Sequence, residues 1–306
     1  MEESLGKSLK KAKRKQVVKI ILISGLMVLV MVPAMVIGSD KLATANCGLL
    51  NDSLYLHNRI AEPNIQIDSQ VIRNHSVMGG EVVTNRSKEV AGYLVPWSTL
   101  TSTYSVIGGS VDHNEMIPGQ QHSEEAIYEY DKQTKQKVAS FYHPRIKDYS
   151  GGVTHDLATI GQLENHVAEV ALSFDQPYTW QELSKTLPDT IQVKWLYMFS
   201  ELLDESKGRS GGLIFGFSSE GDIDENFQQF IEDLEAYDQS EPSQFAPFLE
   251  SENGKKGDEA AILGVIVTGK TSELAKLSEL EFIRGSSIGV TAEIVPYINP
   301  DNGTNR

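Results

Sequence analysis

I-I-L-I-S-G-L-M-V-L-V-M-V-P-A-M-V-I-G-S, residues 20–39, contains no charged side chain. A bilayer core about 30 Å thick takes about 20 such residues as helix. Helix is required because hydrocarbon offers no partner to free backbone groups. The run therefore predicts one transmembrane helix. Pro33 removes one backbone hydrogen bond from it, which membrane helices tolerate. Seven basic residues precede the run (Lys7, Lys10, Lys11, Lys13, Arg14, Lys15 and Lys19), and the next charges are Asp40 and Lys41. This flank predicts a cytoplasmic tail over 1–19 and an extracytoplasmic body from residue 40 onward. A cleaved signal is the rival reading: Ala43-Thr44-Ala45 has the small-x-small pattern, but the apolar run exceeds the roughly 7–15 residues of a signal core. Asn46 before Cys47 argues against lipoprotein processing, so Cys47 is expected as an incidental thiol near the outer surface.

Charge divides at the same place. The chain has 306 residues and a net charge of −15. Residues 1–39 hold seven basic and two acidic side chains, and the rest holds 20 basic and 40 acidic ones. A body this acidic excludes nucleic acid as a partner, because phosphate binding needs clustered Lys and Arg. The basic tail is suited to anionic lipid, at about 1 kcal/mol per Lys or Arg near the surface. Ala34 and Gly38 form a small-x-x-x-small pair through which the span could form a homodimer. A single cysteine excludes an internal disulfide framework and Cys-based zinc sites. No repeat of about 20–50 residues runs along the chain, so a solenoid is not expected.

Beyond the span residues 40–85 show weak periodicity. Asn46 to Asn58 reads as connector, Gln66 to Ile72 as a short strand, Gly79-Gly80 as a turn. Val90 to Leu100 is apolar, with Pro96 expected at a strand end or edge. Residues 125–142 predict a hairpin. From His166 the pattern sharpens. Val167–Phe174 and Ile191–Phe199 are predicted strands around a helix opened by the capping box Thr179-Trp180-Gln181-Glu182. Gly211–Ser218 is a third strand. Asp222 or Asp224 opens a helix with Phe227, Phe230, Ile231, Leu234 and Tyr237 on one face, and another short helix is expected over Phe245–Leu249. Strand 260–269, a helix capped by Thr271 or Ser272, and strand 282–296 repeat the strand–helix–strand outline. The expected fold class is α+β: one N-terminal transmembrane helix, then a body of mixed sheet with helices packed on it.

Several groups of residues have the types that chemistry needs. Gly264 to Thr271 fits the phosphate-loop pattern G-x-x-x-x-G-K-[ST]. Its middle, Val-Ile-Val-Thr, is β-branched and favours strand over a phosphate-cradling turn. Asp112, His113, Glu115, His122, Glu124 and Glu125 are metal-ligand types at spacings that match no ligand template. His143 and His155-Asp156 lack an accompanying nucleophile motif. Ser286-Ser287, between Gly285 and Gly289, reads as a strand break or bulge. Tyr93, Trp97, Trp195, Tyr197 and Phe199 read as core. No catalytic residue, cofactor or metal is expected.

V-T-G-K-T-S-E-L-A-K-L at 267–277 and F-I-R-G-S-S-I-G-V-T-A-E-I-V-P-Y at 282–297 resemble the C-terminal domain of the membrane-anchored sigma factor regulators of Gram-positive bacteria. K-K-A-K-R-K at 10–15 and G-Y-L-V-P-W-S-T-L at 92–100 are similar to their N-terminal region. The resemblance makes Gly269, Lys270, Thr271, Ser286, Ser287 and Gly289 family-motif positions. It implies an anti-sigma factor, not an enzyme, that holds an extracytoplasmic-function sigma factor at the cell envelope. It also implies an N-terminal-like region over 40–157, a C-terminal-like domain over 158–300 and a polar tail over 301–306. A 19-residue tail offers one basic helix with Leu5, Leu9 and Ala12 on one side, not a folded clamp. The sigma factor is therefore expected to be reached through a membrane co-regulator. The alternative function is an exported hydrolase or ligand-binding envelope protein.

Overall fold

The computed structural model describes residues 2–111, 117–122, 127–202, 204–209, 213–238 and 243–295, with the side chains of 2–8, 122 and 209 left aside. Helix α1 is Glu2–Ala61, with Pro33 inside it. Among the described residues it is the one helix long and apolar enough to cross a membrane. Residues 46–58, expected as connector, are helix. The reason is a buried stripe, Ala43, Cys47, Leu50 and Leu54, at the i, i+4, i+7, i+11 spacing of a helix face. It is hidden in sequence by the Asn, Asp and Ser residues on the other faces. Cys47, expected near the outer surface, is part of this stripe and buried, and burial pushes its thiol up.

A four-strand meander follows: β1 Gln66–Ser76, β2 Gly79–Val90, β3 Tyr93–Ser105 and β4 Gly108–Val111, paired in that order. Two-residue turns connect them. The apolar run 90–100 is split by one of these, Ala91-Gly92, with φ of 48° and 86°. Two successive positive φ values match the twist of hairpin strands. Pro96, expected at a strand end or edge, lies inside β3, before the short stretch that four-residue β4 can cover.

The chain forms two compact units. One holds residues 1–50 with the strand segments 72–82 and 102–110. Within it Asn46 Nδ2 donates to the Ser105 carbonyl at 2.8 Å, and the Tyr104 hydroxyl lies 2.8 Å from His75 Nδ1. The second unit holds everything else, including helix residues 51–61.

The second unit is organised by a five-stranded sheet. Its members are β8 His166–Tyr178, β9 Gln192–Ser200, β11 Ile214–Ser218, β12 Ile262–Lys270 and β13 Ile283–Glu293, in the order β11-β9-β12-β8-β13. Every neighbouring pair is antiparallel. Strands β8 and β9 are thus parallel with β12 between them, a split β-α-β unit joined by α3 Trp180–Thr186. Strands β12 and β13 form a second such unit through one turn of helix, α6 Thr271–Leu274, so the repeat expected from sequence is present. The predicted Thr179–Glu182 capping box is formed. The described residues also form helices α2 Leu157–Ile160, α4 Ile223–Tyr237 and α5 Ala246–Glu252. Phe227, Phe230 and Leu234 of α4, with Leu183, Phe245, Leu274 and Leu277, cover one sheet face around Leu172, Phe174 and Leu196. Burying each such side chain contributes roughly 1.5–3 kcal/mol. The other face carries Trp195, Tyr197, Ile266 and Ala171 against Phe141. With both faces covered, β12 is buried along eight of its nine residues.

Small strand pairs complete the unit: β5 Gly119–His122 with β6 Ile127–Tyr130, and β7 Asp148–Ser150 with β10 Lys207–Arg209. The hairpin expected over 125–142 is only partly formed. Strand β6 pairs mainly with β5, and Tyr130 meets Lys137 in a single bridge around the 131–135 turn. Residues 296–306 lie outside the described residues, so nothing bears on the expected polar tail.

Candidate functional site

Helix α1 ends inside the second unit. Ile60 and Ala61 enter its main core. Arg59 donates from Nε and Nη2 to the two carboxylate oxygens of Asp233 on α4, at 2.8 and 2.7 Å. The Tyr237 hydroxyl, one turn further along α4, is 2.9 Å from His57 Nδ1. Glu62, just past the helix, pairs with Arg86 of β2, whose Nε also donates to the Ser98 carbonyl at 2.7 Å. Two-pronged guanidinium–carboxylate contacts fix orientation as well as distance.

A second charged chain lies beneath. Lys88 Nζ is 2.8 Å from Glu169 Oε1, both side chains are buried, and the ammonium sits 4.6 Å from the centre of the Trp97 ring. Asn64 Nδ2 donates to Glu169 Oε2 at 2.7 Å. The carboxylate fits because position 289 is glycine: a Cβ there would stand 2.4 Å from Glu169 Oε1. Lys194 joins Glu89 at 3.0 Å and Glu220 at 2.7 Å.

Between these groups is a cavity of about 660 Å³, lined by Leu54, His57, Arg86, Lys88, Trp97, Glu129, Phe141, Tyr237 and Ile266 among others. A smaller one of about 490 Å³ shares Glu62 and Ile65 with it and includes Trp195, whose indole N–H is buried without a partner among the described residues. Small-molecule sites fall in the range of about 300–1,000 Å³.

The positions singled out in sequence are dispersed. Lys10, Lys11, Lys13, Arg14, Lys15 and Lys19 are exposed along α1. Gly269 and Lys270 end β12, and Val265, Ile266 and Val267 are paired on both sides with β8 and β9, so the phosphate-loop pattern is strand. Thr271, expected as a helix cap, makes no cap. Its hydroxyl donates to the carbonyls of Leu163 and His166 at 2.6 and 3.1 Å, tying the helix start to the loop before β8. Ser286 and Ser287 are buried in β13, whose register shifts on both sides of them, as a bulge requires. The Ser286 carbonyl and hydroxyl hold the 154–157 loop. His143 is buried, and Arg284 donates to the carbonyls of His143, Pro144 and Ile146 around it. Asp112, His113, Glu115, Glu124 and Glu125 lie outside the described residues, as does the side chain of His122; among the described residues no cluster suits a metal ion. Sequence reasoning misses the Arg59–Asp233 and Lys88–Glu169 pairs, which are 174 and 81 residues apart in the chain and leave no local pattern.

Residues 6–95 match the sigma factor regulator N-terminal model, and residues 160–290 match the sigma factor regulator C-terminal model. The chain belongs to the sigma factor regulator family. No curated protein and no solved structure matches it. Arg59, Arg86 and Lys88 fall within the first match, and Glu169, Asp233, Lys270 and Ser286 fall within the second.

Proposed function

We propose that this is a single-pass anti-sigma factor whose body lies outside the membrane, takes up a signal there and regulates an extracytoplasmic-function sigma factor, directly or through a membrane partner. One observation carries the reading. The helix that contains the charge-free run ends inside the folded body, held by Arg59 on Asp233 and by Ile60 and Ala61 in the core. A tethered but unrelated body would need only a flexible linker there. A body that reports through its anchor needs the end of the helix held within the fold, because signalling requires two states that each site can bias. The basic residues from Lys10 to Lys19 support a cytoplasmic N-terminus. The reading is regulatory and assigns no catalysis.

The test has two arms. Protease added to intact protoplasts should remove the body, and deletion of the gene should raise transcription of one sigma factor's targets. A protected body would refute the orientation. An unchanged transcriptome under envelope stress would refute the regulatory role.

A further inference from the structure

Among the described residues, the larger cavity has an unbalanced charge. Of the charged residues that line it, Glu62 is paired with Arg86, and Lys88 with Glu169 behind it. Asp131 accepts from the amides of Gln133 and Thr134 and from the Thr134 hydroxyl, closing its own turn. Glu129 is different. It is 5% exposed, and among the described residues its carboxylate accepts only one long hydrogen bond, from Gln120 Nε2 at 3.4 Å. Burial raises its carboxyl above the usual range. A buried carboxylate without a counter-ion is costly, and in a core its place would be taken by an apolar residue. Here it lines a cavity whose other walls include Trp97, Phe141, Val138, Ile214 and Ile266.

We propose that this cavity binds an organic cation, a small molecule with one ammonium or guanidinium group seated on Glu129 and an apolar, preferably aromatic, body against Trp97, Phe141 and Ile266. Charge selects the class. An anion would face Glu129 across a low-dielectric space, and a neutral ligand would leave the carboxylate unpaired. A cation supplies the counter-charge that the described residues do not, and gains from the aromatic walls. The volume of about 660 Å³ suits a drug-sized molecule rather than a metal ion. As the signal of a regulator, this ligand rests on the reading of the body given above; as a binding site it does not, so the experiment measures binding alone.

The full chain in nanodiscs is titrated with 4-phenylbutylamine, 4-phenylbutanol and 4-phenylbutyrate by calorimetry, with empty nanodiscs subtracted. The amine should bind at least tenfold more tightly than the alcohol, and the carboxylate weakest of the three. Glu129→Gln, near-isosteric, should cost the amine tenfold or more and leave the alcohol unchanged. Should that variant melt early, Ser53→Trp at the exposed rim of the cavity supplies the second readout: it should weaken the amine and the alcohol alike. Equal affinity for amine and alcohol in the wild type would overturn the proposal. So would an amine affinity that neither substitution changes, or no saturable binding of the amine at millimolar concentration.

Discussion

Arg59 and Asp233 are joined by two hydrogen bonds of 2.8 and 2.7 Å, so the last turn of the 60-residue helix is clamped side-on to α4. Asp233 is almost fully buried, and its Oδ1 also accepts from Gln229 Nε2 at 3.0 Å. Arg59 is half-exposed, which limits what the pair adds to stability to about 1–2 kcal/mol. Its value lies in direction: a two-pronged contact fixes the orientation of the helix's last turn against α4 as well as its distance.

The Lys88–Glu169 pair predicts a large stability effect. Both side chains are buried, and Lys88→Ala would leave the Glu169 carboxylate with Asn64 as its remaining partner among the described residues. Removing one member of a buried pair costs about 3–5 kcal/mol. Thermal melting of the full chain in detergent should show a large fall in the midpoint. A midpoint within a degree or two of wild type would mean the pair is not buried as described.

His143 predicts a pH dependence. Its pKa is lowered to about 4, by burial first and Arg145 next, with Glu205 opposing and Arg284 adding. An unfolded histidine titrates near 6.5. Between those values the unfolded chain binds more protons, so stability rises with pH there. The contribution, up to roughly 3 kcal/mol, is present above pH 6.5 and lost as pH falls toward 4. His143→Gln removes it. The stability gap between wild type and variant should therefore narrow between pH 7 and pH 4.5, whereas a gap that widens would contradict the assignment.

Lys270 predicts a negative result. It is exposed at the end of β12, and the residues before it are strand. Lys270→Ala should change stability by no more than about 0.5 kcal/mol. The full chain should show no ATP binding in equilibrium dialysis; binding abolished by this substitution would restore the phosphate-loop reading.

Legibility in the sequence follows the range of the cause. The long apolar helix, the Thr179 capping box and the repeated strand–helix–strand units rest on neighbours within a few residues, and each is present. Residues 46–58 look like linker because Asn46, Asn51, Asp52 and Ser53 dominate the composition, while the stripe that makes them helix is only four residues wide. Thr271 looks like a cap because its type and place fit, but two carbonyls from the loop before β8 compete for its hydroxyl. The cavity is invisible in sequence. Glu62, Lys88, Glu129 and Tyr237 come from four distant segments, and only the fold brings them around one cavity.

The clamp at the end of α1 is the most direct test of the account. Arg59→Asp, Asp233→Arg and the double exchange are placed in the native host, and transcription of the sigma factor targets found by gene deletion is measured with and without envelope stress, alongside protein level in the membrane. Each single variant should respond to stress at least several-fold less than wild type at equal protein level, and the double exchange, which restores opposite charges across the same contact, should recover the response. Single variants that respond as wild type does would contradict the claim that signal passes through this junction.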